Sequence, residues 1–163
     1  MKYLFVTLFL VISTLSYAQE QTAFILVRHA EKASDGTADP ALTQAGEARA
    51  ANILSLLQYS VITAIYSTNY KRTQMTVAPL AEAKDLDIIS YDPRSLKEFV
   101  AMLLEDKSGG TIIISGHSNT TPMLANLLLG EEKLKQFEDS DYGNLLIITV
   151  DSHNNAKLLH LRF

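Results

Sequence analysis

Ala23-Phe24-Ile25-Leu26-Val27 is an unbroken apolar run, and Arg28 and His29 follow it directly. A strand that faces solvent on one side alternates polar and apolar residues, whereas a strand covered on both faces does not. The run therefore predicts a central strand with helices packed on both sides of its sheet. The chain beyond it repeats the arrangement. Thr43 to Gln58 carries Ala48, Ala51, Leu54 and Leu57 at helical spacing. Ala64 to Ser67 is a short strand, and Asn69 can cap a helix running to about Lys84. Leu86 to Tyr91 is a third strand. Asp92-Pro93 reads as a helix start, with aspartate as N-cap and proline in the first helical position. That helix stops before Ser108-Gly109-Gly110. Thr111 to Ser115 is the fourth strand, and a helix from Thr121-Pro122 ends at Gly130. A short acidic helix is expected from Glu131. Asn144 to Val150 and Lys157 to Phe163 form a hairpin around the polar turn Asp151 to Asn155. This alternation predicts an α/β fold, a three-layer α/β/α sandwich with a mostly parallel central sheet.

The 163 residues suit one domain. Residues 1–18 read apart from the rest: Met1-Lys2, an apolar run from Leu4 to Leu15, then Ser16-Tyr17-Ala18 with small residues at both peptidase positions. That is the pattern of a secretory signal peptide cleaved after Ala18, leaving a domain over 19–163 in the periplasm or outside the cell. The run is short of the roughly 20 apolar residues of a bilayer span, so no membrane attachment is expected after cleavage. Removing Lys2 from the 14 basic residues leaves 13 against 18 acidic, a net charge of −5. Nothing in that balance suggests nucleic acid as a partner. Cysteine is absent, which excludes disulfides, thiol catalysis and cysteine metal sites. Oligomeric state has no signature here.

Open α/β sheets bind ligands beyond the carboxyl ends of their strands. The first strand delivers Arg28 and His29 there, the second Ser67-Thr68-Asn69 and then Arg72, the third Asp92, and the fourth Gly116, His117, Ser118 and Asn119. Two arginines and two histidines thus converge on one edge. Guanidinium offers a planar fork of donors matched to phosphate oxygens, and helix N-termini add backbone N–H groups. A neutral imidazole is a competent nucleophile toward phosphorus when its other nitrogen donates to a carbonyl or carboxylate.

Four segments resemble, in order, the motifs of the histidine phosphatase (phosphoglycerate mutase-like) superfamily. Val27-Arg28-His29-Ala30 is similar to its RHG signature, with alanine for the usual glycine. Leu42-Thr43, Gly46, Arg49 and Ala50 resemble LTxxGxxQA. Ser67 through Arg72 to Thr76 resembles SxxxRxxQT, with Lys71 before the arginine and Met75 at the Gln position. Gly116-His117-Ser118-Asn119 resembles the second-histidine motif. The resemblance spans residues 24 to 119 and implies a short single-domain member with a phosphoglycerate mutase-like fold. It implies that His29 attacks phosphorus and becomes a phosphohistidine that water hydrolyses. Arg28, Arg72 and a charged His117 would clamp the phosphoryl oxygens, and the Ser118 and Asn119 backbone would help hold them. No metal or other cofactor is implied; the partner would be a small phosphorylated substrate.

A leaving alkoxide needs a proton, and the resemblance places its donor after the third strand. Asp92 stands there, and helix capping explains it equally well. Glu31 is the rival, either as an acid or substrate ligand or as a loop charge paired with Lys32. Glu98 reads as an exposed helical charge. Arg49 fits a helix surface or a salt bridge, His153 a solvated turn, and His160 the exposed face or edge of the last strand. A serine-hydrolase elbow at Gly116-x-Ser118 fails because Thr120 stands where glycine is required. Phosphomonoester hydrolysis, phosphoramidate hydrolysis and an idle phosphate-binding module all remain open.

Overall fold

The computed structural model describes residues 21–105 and 109–163. The expected leader, residues 1–18, lies outside them. Strands β1 (Thr22–Arg28), β2 (Ile62–Thr68), β3 (Ile88–Tyr91), β4 (Gly110–Gly116), β5 (Asn144–Val150) and β6 (Ala156–Arg162) form one sheet in the order β3-β2-β4-β1-β5-β6. β1, β2, β3 and β4 pair in parallel; β5 runs antiparallel to both β1 and β6. Helices α1 (Gln44–Leu57) and α2 (Lys71–Lys84) cover one face, α3 (Leu96–Glu105) and α4 (Thr120–Leu129) the other. The fold is the three-layer sandwich with a mostly parallel sheet that the β1 run implies.

The two cores follow from the pleat, which turns successive side chains to opposite faces. Phe24 and Leu26 of β1 join Ile112 and Ile114 of β4 under Phe99, Leu103, Leu124 and Leu128. Ile25 and Val27 join Ile113 and Ile65 under Ile53, Leu57, Val77 and Leu80. An aliphatic side chain fully buried in this way stabilises the fold by about 1.5–3 kcal/mol, which is why the central strands carry apolar residues on both faces.

Crossovers to the right keep α1 and α2 on one face while the chain steps from β1 to β2 and β3. The chain then returns across the other face through α3 and α4. β1 and β4 are therefore neighbours whose exits diverge, toward α1 and toward α4. That divergence opens a crevice at their carboxyl ends, where doubly wound sheets place their ligands.

Three local expectations need correction. Asp92 does not cap α3. Its carboxylate accepts the Arg94 N–H (2.9 Å) and pairs with the Arg94 guanidinium (2.8 Å), which closes a tight turn. The helix starts only at Leu96, with the Ser95 carbonyl accepting from Phe99 N–H. Asn69 does not cap α2 either: Tyr70 occupies the N-cap with no side-chain hydrogen bond. The Lys71 N–H donates instead to the carboxylate of Asp39, in the loop after β1 (3.0 Å). No acidic helix follows Glu131. The Asn126 side chain takes the Lys133 and Leu134 N–H groups, and the Ser118 carbonyl accepts from Phe137 N–H. These bonds hold the segment extended while Phe137 reaches the core. Gly130 ends α4 with φ +69°, a left-handed conformation that suits glycine.

Candidate active site

His29 leaves the end of β1, where its N–H donates to the Gly116 carbonyl at the end of β4 (2.8 Å). This bond extends the β1–β4 ladder by one residue and seats the imidazole in the crevice. The ring is 4% exposed. Its Nδ1 lies 2.8 Å from the Ala30 carbonyl, a group that only accepts, so Nδ1 carries the proton and Nε2 presents a lone pair. Burial is the main force pushing the His29 pKa down to about 4. Arg28, His117 and Arg72 lower it further, and the Ala30 carbonyl opposes them. At neutral pH the ring is uncharged and able to act as a nucleophile.

Ala30 N–H donates to Thr76 Oγ1 (2.9 Å), whose hydroxyl donates in turn to the Arg72 carbonyl (2.7 Å). The threonine that ends the SxxxRxxQT-like segment thus ties the His29 loop to α2. Gly46 does a matching job from α1: a Cβ there would overlap the Glu31 carbonyl. Only glycine lets the helix approach this loop so closely.

Four side chains named from the sequence meet in the crevice. Arg28, His29, Arg72 and His117 line one cleft of about 420 Å³, with Ser118 and Asn119 on its wall. The two imidazoles stand edge to face at 5.5 Å between centroids. Arg28 is 3% exposed; its Nη1 donates to the Glu138 and Asp141 carbonyls (2.7 and 3.1 Å), and its guanidinium lies 4.2 Å from the Tyr142 ring centre. Arg72 stacks on Tyr70 (4.5 Å) and lies 3.6 Å from Asp39. The Nε–H groups of Arg28 and Arg72 are both buried without a protein acceptor. A buried donor normally finds a partner, and two arginines with such donors lining the cleft of one imidazole fit an oxyanion ligand.

His117 Nε2 lies 3.0 Å from Thr68 Oγ1, which also bonds Thr73 Oγ1 (2.9 Å). Tyr70 meets the same ring edge-on at 5.1 Å. Burial first, then Arg72 and Arg28, lower the His117 pKa to about 4. This corrects the expectation of a charged His117. Next to two permanent cations and away from water the ring is neutral, and it would need an arriving dianion to hold a proton.

Neither carboxyl proposed as an acid fits that part. Asp92 is outside the cleft lining, and its contact with Arg94 lowers its pKa to about 2. Glu31 turns away to Arg49, which grips both its oxygens (2.7 and 3.0 Å) and holds its pKa below the usual carboxylate range. It is therefore neither a proton donor nor a substrate ligand. Arg49 is its salt-bridge partner and also donates to the Phe163 carbonyl (2.9 Å). Sequence reasoning missed Tyr70, Tyr142 and Asp39, which contact the two arginines, and gave no role to Thr68, which it placed at the exit of β2. Thr68 and Tyr70 had a signal, their place inside the SxxxRxxQT-like segment.

These features define a class: an α/β sandwich with an anion-receptive crevice centred on a neutral imidazole. Residues 24–99 match the family model of the histidine phosphatase superfamily (branch 1). Phosphoserine phosphatase 1 of Hydrogenobacter thermophilus is 38% identical over 74 residues, which are 42% of this chain and 35% of that protein. The match thus spans about a third of that relative's length. A candidate alpha-ribazole-5'-P phosphatase from Escherichia coli superposes with a TM-score of 0.74 at 17% identity, over 87% of this chain and 97% of that one. The protein histidine phosphatase SixA, complexed with tungstate, superposes at 0.69 with 14% identity, over 86% of this chain and 96% of that one. Over residues 24–99, a little under half its length, the chain is similar to the histidine phosphatase superfamily, and the two superpositions show a shared fold.

Proposed function

We propose that this chain is an exported, metal-independent phosphatase that hydrolyses phosphomonoesters through a phosphohistidine on His29. One observation carries the reading: a neutral, buried imidazole with its Nδ1 committed to the Ala30 carbonyl shares one cleft with two arginines whose Nε–H groups have no protein acceptor. In the first step Nε2 forms a bond to phosphorus as the bond to the leaving oxygen breaks. Arg28 and Arg72 receive the phosphoryl oxygens and offset the charge of the transition state. His117 accepts a proton as the dianion arrives and then donates to it; the Ser118 and Asn119 backbone completes the cradle. In the second step water adds to phosphorus, its proton leaves to solvent, and the phosphorus–nitrogen bond returns its electrons to Nε2. Export rests on the leader pattern of residues 1–18, and the mass of protein recovered outside the cytoplasm would test cleavage after Ala18.

A second reading has its own support. With Asp92 and Glu31 both held as carboxylates by arginines, neither is placed to protonate a poor leaving group, and the carboxyl that does line the cleft, Asp139, is solvent-exposed and lies 3.9 Å from Arg28 Nη2. That favours phosphoramidates and esters with stable leaving groups, and one structural neighbour is a protein histidine phosphatase. The experiment is turnover of 4-nitrophenyl phosphate and of a phosphoramidate, with chelator, by wild type and His29→Ala. Chelator-resistant turnover that disappears in the variant supports the proposal. Persistent activity in His29→Ala refutes it, and saturable phosphate binding without turnover in the wild type indicates an idle binding module instead.

A further inference from the structure

Thr68 ends β2, beside the strand whose exit carries His117: Ser67 pairs with Ser115 across β2 and β4. Thr68 and its neighbour Thr73 are both buried, and neither lines the cleft. On the phosphatase reading, and as a deepening of it, we infer that Thr68, backed by Thr73, is a positioning residue for His117. It pins the imidazole in the Nε2–H tautomer, so that Nδ1 stays bare until a phosphoryl dianion arrives and then takes up a proton with it.

Counting protons along the two hydroxyls leads there. Thr73 Oγ1 lies 2.9 Å from the Thr68 carbonyl and 2.8 Å from the Tyr70 carbonyl. A carbonyl only accepts, so the single Thr73 proton belongs to this pair. Otherwise two carbonyl oxygens would press on a hydroxyl oxygen with no hydrogen between them. The Thr68 hydroxyl, 2.9 Å from Thr73 Oγ1, must then donate to it. With its own proton spent, Thr68 Oγ1 can only accept from His117 Nε2, 3.0 Å away. Nε2 therefore carries the proton of the neutral ring, and Nδ1 keeps a lone pair. Among the described residues Nδ1 has no hydrogen-bond partner, which leaves it for a ligand in the cleft that the ring lines. The base of the ring is fixed as well, since the His117 N–H donates to Thr120 Oγ1 (3.0 Å). The two imidazoles are thus set in opposite senses. His29 ties its Nδ1–H to a carbonyl and offers Nε2; His117 ties its Nε2–H to a hydroxyl and offers Nδ1.

A bare Nδ1 repels a phosphoryl oxygen, whereas a protonated one donates to it. His29 and Tyr70 meet the ring edge-on, and Arg28, Arg72, Lys32, Arg94 and Asp139 are the charged groups of the cleft lining. The surplus of cations keeps the ring neutral by itself, and a dianion reverses that balance. The proton comes from solvent as the dianion binds and returns to solvent when inorganic phosphate leaves.

The test reads the ring directly. Nitrogen NMR of isotope-labelled protein at neutral pH is recorded for wild type, Thr68→Ser, Thr68→Val and Thr73→Val, with His117→Gln to assign the signal. Tungstate serves as the dianion. In wild type and Thr68→Ser the expected result is an Nε2–H ring that gains a second proton, on Nδ1, when tungstate is added. In Thr68→Val no hydroxyl accepts from Nε2, and in Thr73→Val the Thr68 proton is free to turn toward it. Both variants should show the Nδ1–H tautomer, with little further protonation on binding. For 4-nitrophenyl phosphate, kcat/KM should fall roughly fivefold in Thr68→Val, the scale of one net hydrogen bond, and recover in Thr68→Ser. A wild-type ring found as Nδ1–H, or one that stays singly protonated with tungstate bound, would overturn the inference. So would a fall in kcat/KM with no change of tautomer in Thr68→Val, the mark of a merely structural role. The expected tautomer and proton uptake without turnover in the wild type would sink the phosphatase reading alone.

Discussion

Replacing Asp39 separates two jobs that its carboxylate performs. It accepts the N–H of Lys71 at the start of α2 (3.0 Å), and it lies 3.6 Å from Nη1 of Arg72. Helix α2 has no capping side chain of its own, so Asp39→Ala leaves the first turn without an acceptor. Loss of a side-chain cap costs about 1 kcal/mol. The ion pair, with its carboxylate 38% exposed, adds at most about 0.5 kcal/mol. Together these lower Tm by about 4 °C for a domain of this size. Asparagine caps a helix as well as aspartate but carries no charge; Asp39→Asn should therefore stay within about 0.5 kcal/mol of wild type. Arg72 is the second residue of α2, so a frayed first turn displaces it. We expect kcat/KM to fall about tenfold in Asp39→Ala, less than the hundredfold that a misplacement of about 1 Å can cost. The fall in Asp39→Asn stays below about threefold. Urea unfolding and turnover of an aryl phosphate measure both. An Asn variant as unstable as the Ala variant, or an Ala variant matching wild type, would refute the capping argument.

Other outcomes follow from the same coordinates. His29 has a folded pKa of about 4 against 6.5, so between these values the unfolded chain binds more protons than the fold. Its contribution is present above pH 6.5 and is lost as pH falls toward 4, by about 2 kcal/mol after allowance for solvent screening. His29→Gln should flatten stability against pH in urea titrations from pH 7 to 4.5, whereas curves parallel to wild type would contradict the assignment. Gly46→Ala should destabilise by about 1–3 kcal/mol through overlap with the Glu31 carbonyl and reduce turnover with it; the opposite sign, a gain from the better helix propensity of alanine, would disprove that contact. Asp92→Asn should change kcat/KM less than about twofold for good and poor leaving groups alike, and a selective loss on poor leaving groups would restore Asp92 as the acid.

What could be read in advance divides along physical lines. β1 was legible because burial on both faces leaves an unbroken apolar run, and the placing of Arg28 and His29 follows once the run ends. Thr43 was legible as part of a local motif: it caps α1, its side chain accepting the Gly46 N–H (3.1 Å). Asp92 was misread because an Asp-Pro pair serves a tight turn and a helix start equally, and only the competing Arg94 decides between them. Asp39 caps a helix 32 residues away, across a loop whose path no local rule specifies. Tyr142 flanks Arg28 through stacking between distant segments, for which neither periodicity nor spacing leaves a trace, whereas Tyr70 stacks on Arg72 only two residues along the chain. The neutral state of His117 depends on how deeply its neighbours enclose it, a property of packing alone.

The grip of Arg28 on the 138–142 segment has a consequence for how this scaffold can diversify. Its Nη1 is used up by two main-chain carbonyls, and its flat face rests on Tyr142. Insertions or exchanges near Glu138 to Tyr142 would swing the guanidinium along with the wall. Residues 131–136 hang from Asn126 instead, and they border a roomy neighbouring cleft of about 680 Å³. New recognition surfaces can accumulate there while the phosphate-facing geometry stays put.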